Sequence, residues 1–384
     1  MAGRLHPVQL SWRRRRVPVA ERTRRQKVMA YVGGVWDVSA WAFVALLSVV
    51  AVSRRVGGTA PTLLQPLQAV VPLLFLPIYV ILVGALVSRR WLLAVTAVLF
   101  GLVHWFSVAP ARGTDDRPYW LGRGASITVA EANLYEKNPT LAESIANLRA
   151  ADADVVVVVE VTQDADVAMA AAGLYLSYPY RVVEPIRGAA GSAILSKLPL
   201  TDVGRLTRNR LPIADITLPD GQKVRIVAVH PMPPLSGSRS AKEWTEDLGV
   251  LRRYAARTVG PVALVGDFNG TRWQPAFGSL LHSGLRDAHE ATGKGLTNSW
   301  PADRFRRLVR LDHALVGDQL FPTAVTDVQL PGSDHLGFVA TFDVRPQTRP
   351  GTVDAPADPS ATVPLDATTS APDSTVATGA PTTG

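Results

Sequence analysis

The sequence predicts an α/β domain that follows a set of membrane-spanning segments and precedes a tail without a core. Short Val-rich runs are typical of strands buried on both faces of a sheet, and they occur at 155–159, 224–229 and 261–265. Three apolar stretches between residues 36 and 108 are each about long enough to cross a bilayer. From Pro346 onward Pro, Thr, Ala, Ser and Asp predominate, and such a composition cannot bury enough apolar surface to fold.

Three transmembrane helices are predicted, at Trp36–Val52, Leu63–Val87 and Trp91–Val108. Asp37 is the single charged residue within these stretches, and Trp residues lie near their ends, as in aromatic belts. Three prolines in the second stretch would break a soluble helix, but a membrane helix tolerates them better. A cleaved signal peptide competes as the interpretation of the first stretch, although no small-residue cleavage site stands out there. His104, near the end of the third stretch, is expected at the membrane interface.

The positive charge of the chain is concentrated before residue 111. Residues 1–110 contain thirteen Lys or Arg against two acidic residues, whereas the remainder contains 27 against 30. Four of those acidic residues follow Arg349, so the region between is nearly neutral, at about +1. The high pI therefore indicates membrane topology rather than a nucleic-acid partner. Under the positive-inside rule the N-terminus is cytoplasmic, and three spans place the following domain outside.

The predicted organisation follows from these compositional changes. The chain contains no cysteine, which excludes disulfides and thiolate metal sites. We expect a basic cytoplasmic tail at 1–30, three transmembrane helices at 31–110, a linker at 111–125, the α/β domain at 126–345 and a disordered tail at 346–384.

A polar pair follows the apolar run that ends at Val265. Gly266 breaks the run, and Asp267 and Asn269 then project from the end of the predicted strand. An Asp at such a position can hold a metal or orient a water, and an Asn can donate to a phosphate oxygen. Taken alone, the pair is also common turn chemistry.

The same pattern recurs at four other places, which strengthens the functional interpretation. The Val155–Val159 run ends in Glu160, and the Val224–Val229 run ends in His230. Asp312 lies in the middle of the apolar stretch 308–316, and Ser333-Asp334-His335 precedes another apolar run. Because active sites gather where buried strands end, these acids, histidines and amides predict a metal-assisted phosphoryl-transfer site.

Arginines near the predicted strand 308–316 suggest contacts with an anionic substrate. Period-two alternation places Arg310 on the same strand face as Asp312. Arg304, Arg306 and Arg307 lie just upstream, where they form either a basic rim or a solvated loop.

The motifs resemble the endonuclease/exonuclease/phosphatase superfamily, which includes pancreatic-type deoxyribonucleases, abasic-site endonucleases, neutral sphingomyelinases and inositol-phosphate phosphatases. The match extends from about Ser126 to about Val344, and the GDFN and SDH elements are its specific parts. It is carried, in order, by Asn133, Glu160, Gly191–Ser196, His230, Gly266–Asn269, Thr297 with Trp300, Arg310–His313 and Ser333–His335. The resemblance implies a four-layer α/β/β/α sandwich and Mg²⁺-dependent hydrolysis of a phosphate ester, with Mn²⁺ as an alternative ion.

The resemblance also implies roles for individual residues at the metal and the phosphate. Glu160 matches the main metal ligand, with Asn133 and Asp334 nearby. Without the resemblance, Asn133 would be interpreted as an Asx-turn after a strand. Asp267 matches the residue that orients or deprotonates the attacking water, and Asn269 matches the residue that fixes the phosphate.

The histidines are expected to act on the phosphate and the leaving group. His230 would hydrogen-bond the phosphate or protonate the leaving oxygen. His335 would stabilise charge on the phosphoryl oxygens, with Asp312 holding its imidazole and raising its pKa. Which histidine is the general acid stays open at this point.

The function expected from the sequence is a membrane-anchored, outward-facing, metal-dependent phosphoesterase. Its substrate would be a lipid, envelope-intermediate or nucleotide phosphate mono- or diester, and no protein partner is predicted. An extracellular nuclease acting on DNA or RNA is the first alternative, although the near-neutral domain lacks the basic track expected for duplex binding. A non-catalytic binding module with the same fold is the second alternative.

Overall fold

The computed structural model describes residues 23–55, 62–113, 116–207 and 211–347. The tails predicted before residue 23 and after residue 347 lie outside these ranges. The helices are α1 Arg24–Ser53, α2 Gln65–Ala69, α3 Val71–Leu74, α4 Pro77–Val87, α5 Trp91–Val108, α6 Leu141–Ala150, α7 Gln163–Ala171, α8 Leu174–Ser177, α9 Ser238–Arg257, α10 Pro275–Leu281 and α11 Ala288–Ala291. The strands are β1 Ser126–Asn133, β2 Val155–Val159, β3 Tyr180–Glu184, β4 Ser192–Ser196, β5 Leu200–Leu206, β6 Leu211–Thr217, β7 Lys223–Val229, β8 Val262–Asp267, β9 Arg286–Asp287, β10 Asp312–Val316, β11 Leu320–Val328 and β12 Gly337–Val344.

The strands form two six-stranded sheets. The first has the order β11-β12-β1-β2-β4-β3, and the second has the order β5-β6-β7-β8-β10-β9. Each sheet contains one parallel pair, β1 with β2 and β7 with β8, and the other pairs are antiparallel. The α/β class predicted from the Val-rich runs is confirmed, because β2 and β8 are buried along their whole length.

The two sheets pack face to face with helices outside each of them. The central cluster joins inward-facing residues of both sheets, among them Val157 and Val265. On the outer face of the first sheet, Ala130 and Val156 pack against α6, α7 and α8. On the outer face of the second sheet, Leu264 packs against α9 and α10. The observed layering is therefore α/β/β/α.

The polar strand ends meet because of the strand directions. The carboxyl ends of β1 and β2 lie side by side in one sheet, and those of β7 and β8 lie side by side in the other. The antiparallel β10 starts where β8 ends, so Asp312 is the register partner of Asp267. The strand predicted at 308–316 therefore begins at Asp312, and Asp312 is at its start rather than in its middle.

Among the described residues, two helices are long and apolar enough to cross a membrane. They are α1 (Arg24–Ser53) and the helical segment Trp91–Arg112, which contains α5. A capping box between Thr23 and Gln26 fixes the start of α1, so the helix includes residues that were expected in the polar tail.

For the middle of the three stretches, the prediction of one long transmembrane helix is wrong. Leu63–Val87 is divided into α2, α3 and α4, and each begins with a proline in its first two positions. Pro66, Pro72 and Pro77 lack the N–H that would continue the preceding helix, and each ring clashes with the carbonyl four residues earlier. The prolines that we expected a membrane helix to tolerate interrupt it instead.

The first and third apolar helices run in the same direction. Arg90, at the start of α5, pairs with Asp37 near the middle of α1, and at the C-terminal ends the Arg54 Nη1 donates to the Ser107 Oγ over 3.2 Å. Both contacts follow the same order along the two helices, so α1 and α5 are parallel. The chain therefore returns along the bundle between them, through α3 and α4.

His104 is buried among the helices of this bundle, and its expected place at a membrane interface stays a prediction. The His104 Nδ1 is 3.0 Å from the Tyr79 hydroxyl, and its Nε2 is 3.1 Å from the carbonyl oxygen of Pro72. That carbonyl receives no bond from the Leu76 N–H, which donates to Leu73 instead. His104 therefore satisfies a backbone group that the interrupted helix leaves free.

Candidate active site

An amide bridges two carboxylates at the ends of β1, β2 and β8. The Asn133 Nδ2 donates to the Glu160 Oε1 over 3.0 Å and to the Asp267 Oδ2 over 3.1 Å. The Asn133 Oδ1 accepts from the Tyr135 backbone N–H at 2.9 Å, which is the Asx geometry that we considered from the sequence. Asn133 therefore presents its nitrogen, and not its oxygen, to the carboxylates, and we treat it as a positioning residue rather than a metal ligand.

Glu160 is oriented by its backbone as well as by Asn133. Its φ angle is +58°, a left-handed conformation that is uncommon for a residue other than glycine. The Glu160 Oε2 accepts from the Glu136 N–H at 2.8 Å. Both carboxylate oxygens are thus fixed from outside the strand, and such local strain is typical of functional sites.

His230 and Asn269 approach the same two carboxylates. The His230 Nε2 lies 3.9 Å from the Glu160 Oε1 and 3.8 Å from the Asp267 Oδ2. The Asn269 N–H donates to the Asp267 Oδ1 over 2.7 Å, while its side-chain amide donates to the Pro231 carbonyl over 3.0 Å. The same amide has a second N–H, so Asn269 can also donate to a phosphate oxygen.

Asp312 and His335 form a buried ion pair on the other side of Asp267. The His335 Nδ1 is 2.9 Å from the Asp312 Oδ2, and its Nε2 is 3.7 Å from the Asp267 Oδ2. Burial lowers the pKa of His335, but the Asp312 and Asp267 carboxylates outweigh it and raise the pKa to about 10. His335 is therefore a cation at neutral pH, with its Nε2–H directed at the site.

Asp267 and Asp312 differ in their ionisation although they are neighbours. Burial raises the pKa of Asp267, and the Asp312 charge raises it further against the opposing effect of His335. Burial also acts on Asp312, but the charge of His335 and its hydrogen bond lower the pKa of Asp312 below the usual value. Asp312 is thus the ionised partner of His335, and Asp267 is the carboxylate that can accept a proton.

The SDH motif places its three side chains in different positions. The Ser333 hydroxyl donates to the Asn133 carbonyl over 2.8 Å and accepts from the His335 N–H, which fixes the loop before β12. The Asp334 Oδ2 accepts from the Trp300 Nε1 at 3.0 Å, and its Oδ1 lies 3.9 Å from the His335 Nε2. Asp334 therefore borders the His335 side of the site.

Arg310 is not brought to the site, in contrast to the prediction. It is 4 % exposed, and its guanidinium donates to the Thr297 carbonyl over 2.7 Å and to the His289 Nε2 over 2.8 Å. The alternation argument fails because β10 begins at Asp312, two residues after Arg310. Arg310 is a buried structural residue behind the site, and not a substrate ligand.

A family model matches the residues that build this site. The description of the model is "Endonuclease/Exonuclease/phosphatase family", and the match covers residues 130–335, more than half of the chain. The chain belongs to the endonuclease/exonuclease/phosphatase family. Members of this family are phosphoesterases and nucleases. The match confirms the family resemblance that the motifs indicated. A comparison with curated proteins found no match.

Several solved structures are similar to part of the chain. An endonuclease/exonuclease/phosphatase from Beutenbergia cavernae is 19 % identical and covers 57 % of this chain and 72 % of its own, with a TM-score of 0.46. TDP2 from D. rerio, complexed with a single-strand DNA product, is 18 % identical and covers 57 % and 100 %, with a TM-score of 0.47. Sphingomyelinase C from Streptomyces griseocarneus is 19 % identical and covers 56 % and 99 %, with a TM-score of 0.41. At these values nothing about the substrate follows from them.

The donor set fits a hard divalent cation near Glu160. The Glu160 Oε1 and the Asp267 Oδ2 both face the Asn133 nitrogen, so two carboxylate oxygens are close together in a buried site, which a cation would neutralise. A second group of ligand atoms, from Asp267, Asp312 and His335, lies within 4.8 Å. In that group the His335 Nδ1 is paired with Asp312. The carboxylates of Glu160 and Asp267, and the group of Asp267, Asp312 and His335, could each contribute ligands to a divalent cation.

A cavity of about 700 Å³ opens above the site. Its floor contains Glu160, His230, Asp267 and His335, and Arg187 is the one Lys or Arg side chain among the described residues that line it. Arg187 carries no motif, so sequence reasoning missed it. The predicted rim residues Arg304, Arg306 and Arg307 are exposed and do not line the cavity.

Glu131 is a further residue that the motifs did not indicate. It is fully buried in β1, and neither of its carboxylate oxygens has a hydrogen-bond partner among the described residues. Burial raises the pKa of Glu131 well above its usual value, and the Asp312 and Asp267 charges raise it further. A charged residue inside a strand that is otherwise apolar is the signal that could have drawn attention to it.

Proposed function

We propose that this protein is a membrane-anchored phosphoesterase that hydrolyses a phosphate ester with the help of a divalent metal, Mg²⁺ or Mn²⁺. The observation that carries the proposal is the Asn133 bridge between Glu160 and Asp267, with His230 and His335 on either side of Asp267. Family membership limits the reaction to phosphoester hydrolysis, and the intact constellation argues against a binding module without catalysis.

The side chains of the site have different roles in the reaction. A metal bound by Glu160, with Asp267 beside it, would polarise the phosphoryl oxygens and stabilise their charge. Asp267 orients the attacking water and accepts its proton, for which its raised pKa suits it. The cationic His335 donates from its Nε2 to a phosphoryl oxygen, while Asp312 fixes the ring through its Nδ1.

The overall step balances with water as the sole co-reactant. The water oxygen forms a bond to phosphorus, and the bond from phosphorus to the ester oxygen breaks. The water proton passes to Asp267, and the leaving oxygen takes a proton from the site. We assign that donation to His230, because His335 is tied to Asp312 and its raised pKa makes it a poor acid.

Membrane attachment is supported by the exposure of the two long apolar helices. In their most apolar windows, 22 % and 28 % of the residues are buried inside the protein. A core helix of a soluble protein would be mostly buried, whereas these helices present large apolar side chains outward, among them Val49, Val95 and Leu99. We infer that lipid covers this surface.

The direction of the helices supports an extracytoplasmic site. Because α1 and α5 are parallel and both end beside the catalytic domain, the basic start of α1 (Arg24, Arg25 and Lys27) and the Arg89-Arg90 turn belong to the opposite side of the bundle. Positive residues favour the cytoplasmic side, which places the catalytic domain outside. The parallel direction of α1 and α5 does not depend on whether α3 and α4 form one continuous helix.

The experiment uses the full chain in lipid nanodiscs and a soluble substrate, bis(p-nitrophenyl) phosphate. Hydrolysis should require Mg²⁺ or Mn²⁺ and be abolished by EDTA. Glu160→Gln should weaken metal affinity at least about tenfold, since removing even an outer partner of a metal ligand typically costs that much. Glu246→Gln, the same substitution on the exposed face of α9, is the matched control. Metal-independent hydrolysis, or a Glu160→Gln variant with the metal dependence of the wild type, would contradict the proposal.

A further inference from the structure

The membrane helices contribute one wall of the active-site cavity. Gln65, Pro66 and Ala69 of α2 and the following Val70 line the cavity together with Asp267 and its neighbours. These four residues precede the family-matched region 130–335, so they are an addition to the family domain. The interrupted middle stretch of the membrane segment thus reaches the site.

Two buried glutamines attach the catalytic loop to this wall. The Gln274 Nε2 donates to the Gln65 Oε1 over 2.9 Å, and both side chains are about 2 % exposed. The Gln274 Oε1 accepts from the Thr271 N–H at 2.8 Å, and the Thr271 hydroxyl contacts the Ala69 carbonyl. Because Thr271 follows Asp267 by four residues, the loop that carries the water-orienting carboxylate is fixed against α2.

The apolar cluster of the membrane helices also includes a residue of the catalytic domain. Trp273 is buried among α1, α3 and α4 side chains, and its Nε1 donates to the Ser107 carbonyl over 3.3 Å. The catalytic domain is therefore joined to the bundle by packing as well as by hydrogen bonds, and the cavity lies beside that junction.

Polar and apolar side chains occupy different parts of the cavity. The polar groups Glu160, His230, Asp267 and His335 converge as described above. The remaining lining is mainly apolar and contains three large side chains that are strongly exposed, with exposed fractions of 49 % for Met232, 57 % for Leu235 and 43 % for Leu308. Exposed apolar side chains grouped around a cavity indicate an apolar ligand or a membrane contact.

We propose that this wall and the Met232–Leu235 loop form a binding site for the hydrocarbon tail of a membrane lipid whose phosphate ester lies against Glu160 and Asp267. The inference rests on the proposed function and adds the substrate class. Pro66 and Val70 belong both to the interrupted apolar segment and to the cavity lining, so the apolar lining is continuous from that segment to the site. A nucleic acid would instead need several cations along its backbone, and within the described part of the chain Arg187 is the one Lys or Arg that lines the cavity.

The test compares inhibition by butyl phosphate and hexadecyl phosphate in nanodiscs, with bis(p-nitrophenyl) phosphate as the reporter substrate. Hexadecyl phosphate should inhibit at a concentration at least about tenfold lower, since each buried methylene adds affinity. Leu235→Ser and Val70→Thr should reduce this chain-length ratio at least about threefold. Leu176→Ser is the matched control, because Leu176 is 88 % exposed on α8 and does not line the cavity.

The outcomes separate the tail site from the catalytic proposal. The ratio of the two inhibitory concentrations could be the same in the wild type and in the three variants. Partition of hexadecyl phosphate into the bilayer would then explain the ratio, and the tail site would be overturned. Stronger inhibition by a DNA oligonucleotide than by hexadecyl phosphate would overturn it as well. If the wild type does not hydrolyse the reporter, direct binding of radiolabelled hexadecyl phosphate decides. Binding that Leu235→Ser weakens then supports the tail site while the proposed function fails, and binding that Leu235→Ser leaves unchanged overturns both.

Discussion

At the scale of single residues, Asp267 lies between two histidines and interacts electrostatically with both. Its Oδ2 is 3.8 Å from the His230 Nε2 and 3.7 Å from the His335 Nε2. At these distances a change in the charge of His335 alters the proton affinity of Asp267, so we expect Asp267, Asp312 and His335 to be coupled.

The first prediction concerns the Asp312–His335 pair. Asp312→Asn removes the charge that keeps His335 cationic and oriented, so it should lower kcat/KM about as much as His335→Ala, by roughly 10²–10⁴-fold. The double variant should lose little more than either single variant, because residues that act as a unit are non-additive. The measurement is a double-mutant cycle on kcat/KM.

Thermal unfolding of the same four proteins is the control for this cycle. If Asp312 were a structural residue alone, Asp312→Asn would lower the melting temperature with little effect on turnover. Losses in kcat/KM that add in the double variant would rule out the pair as a catalytic unit.

The second prediction concerns the buried Glu131. Because its folded-state pKa is raised, the folded protein binds a proton more tightly than the unfolded chain. The contribution of protonated Glu131 to the free energy of unfolding is therefore fully present below its unfolded pKa of about 4.5 and decreases as pH rises toward its folded pKa. Glu131→Gln removes this dependence, so the variant should gain stability over the wild type by up to about 1.4 kcal/mol per pH unit in that window.

Thermal unfolding of detergent-solubilised protein between pH 4 and 8 measures this difference. Glu246→Gln, on an exposed helix face, should follow the wild type throughout. A Glu131→Gln variant that is less stable than the wild type at pH 7 would show that the carboxylate is ionised and compensated in the fold.

At the scale of elements, the sequence predicted strands better than it predicted their ends. The Val-rich β2 and β8 were identified because burial on both faces leaves a continuous apolar run, and Glu160 and Asp267 follow from where those runs stop. Arg310 was misplaced because the apolar stretch at 308–316 begins before the ladder does. Periodicity indicates the face of a residue only inside a strand, and the start of β10 is set by its pairing with β8.

The third prediction concerns the interrupted membrane segment. His104→Leu removes the partner of the Pro72 carbonyl and of the Tyr79 hydroxyl, and leaves a backbone acceptor unsatisfied between helices. It should destabilise the protein by about 1 kcal/mol, the usual scale of such bonds in membrane proteins. Tyr79→Phe, which removes one of the two bonds, should cost less. The melting temperature in detergent measures both, and equal stability of His104→Leu and the wild type would contradict a structural role for the histidine.

At the scale of the whole molecule, the junction between the N-terminal apolar helices and the α/β domain could not be predicted from the sequence. Gln65 and Gln274 are separated by 209 positions, and neither belongs to a motif. Trp273 was visible only as an aromatic residue near the GDFN element, and nothing in its neighbours indicates burial among helices from the start of the chain. Long-range contacts of single polar or aromatic residues carry no periodicity, so only the folded structure reveals them.

The last prediction is the orientation of the molecule in its membrane. Because the chain contains no cysteine, single cysteines can be introduced and labelled in intact cells with a membrane-impermeant maleimide. Leu176→Cys, exposed on the catalytic domain, should be labelled without lysis, whereas Ser88→Cys, exposed in the turn between α4 and α5, should be labelled only after lysis. The expectation follows from the parallel direction of α1 and α5, which the Arg90–Asp37 and Arg54–Ser107 contacts define, together with the positive-inside rule. Labelling of both cysteines after lysis serves as the control for reactivity. Labelling of Ser88→Cys but not of Leu176→Cys in intact cells would reverse the orientation, and equal labelling of the two would mean that the bundle does not separate them.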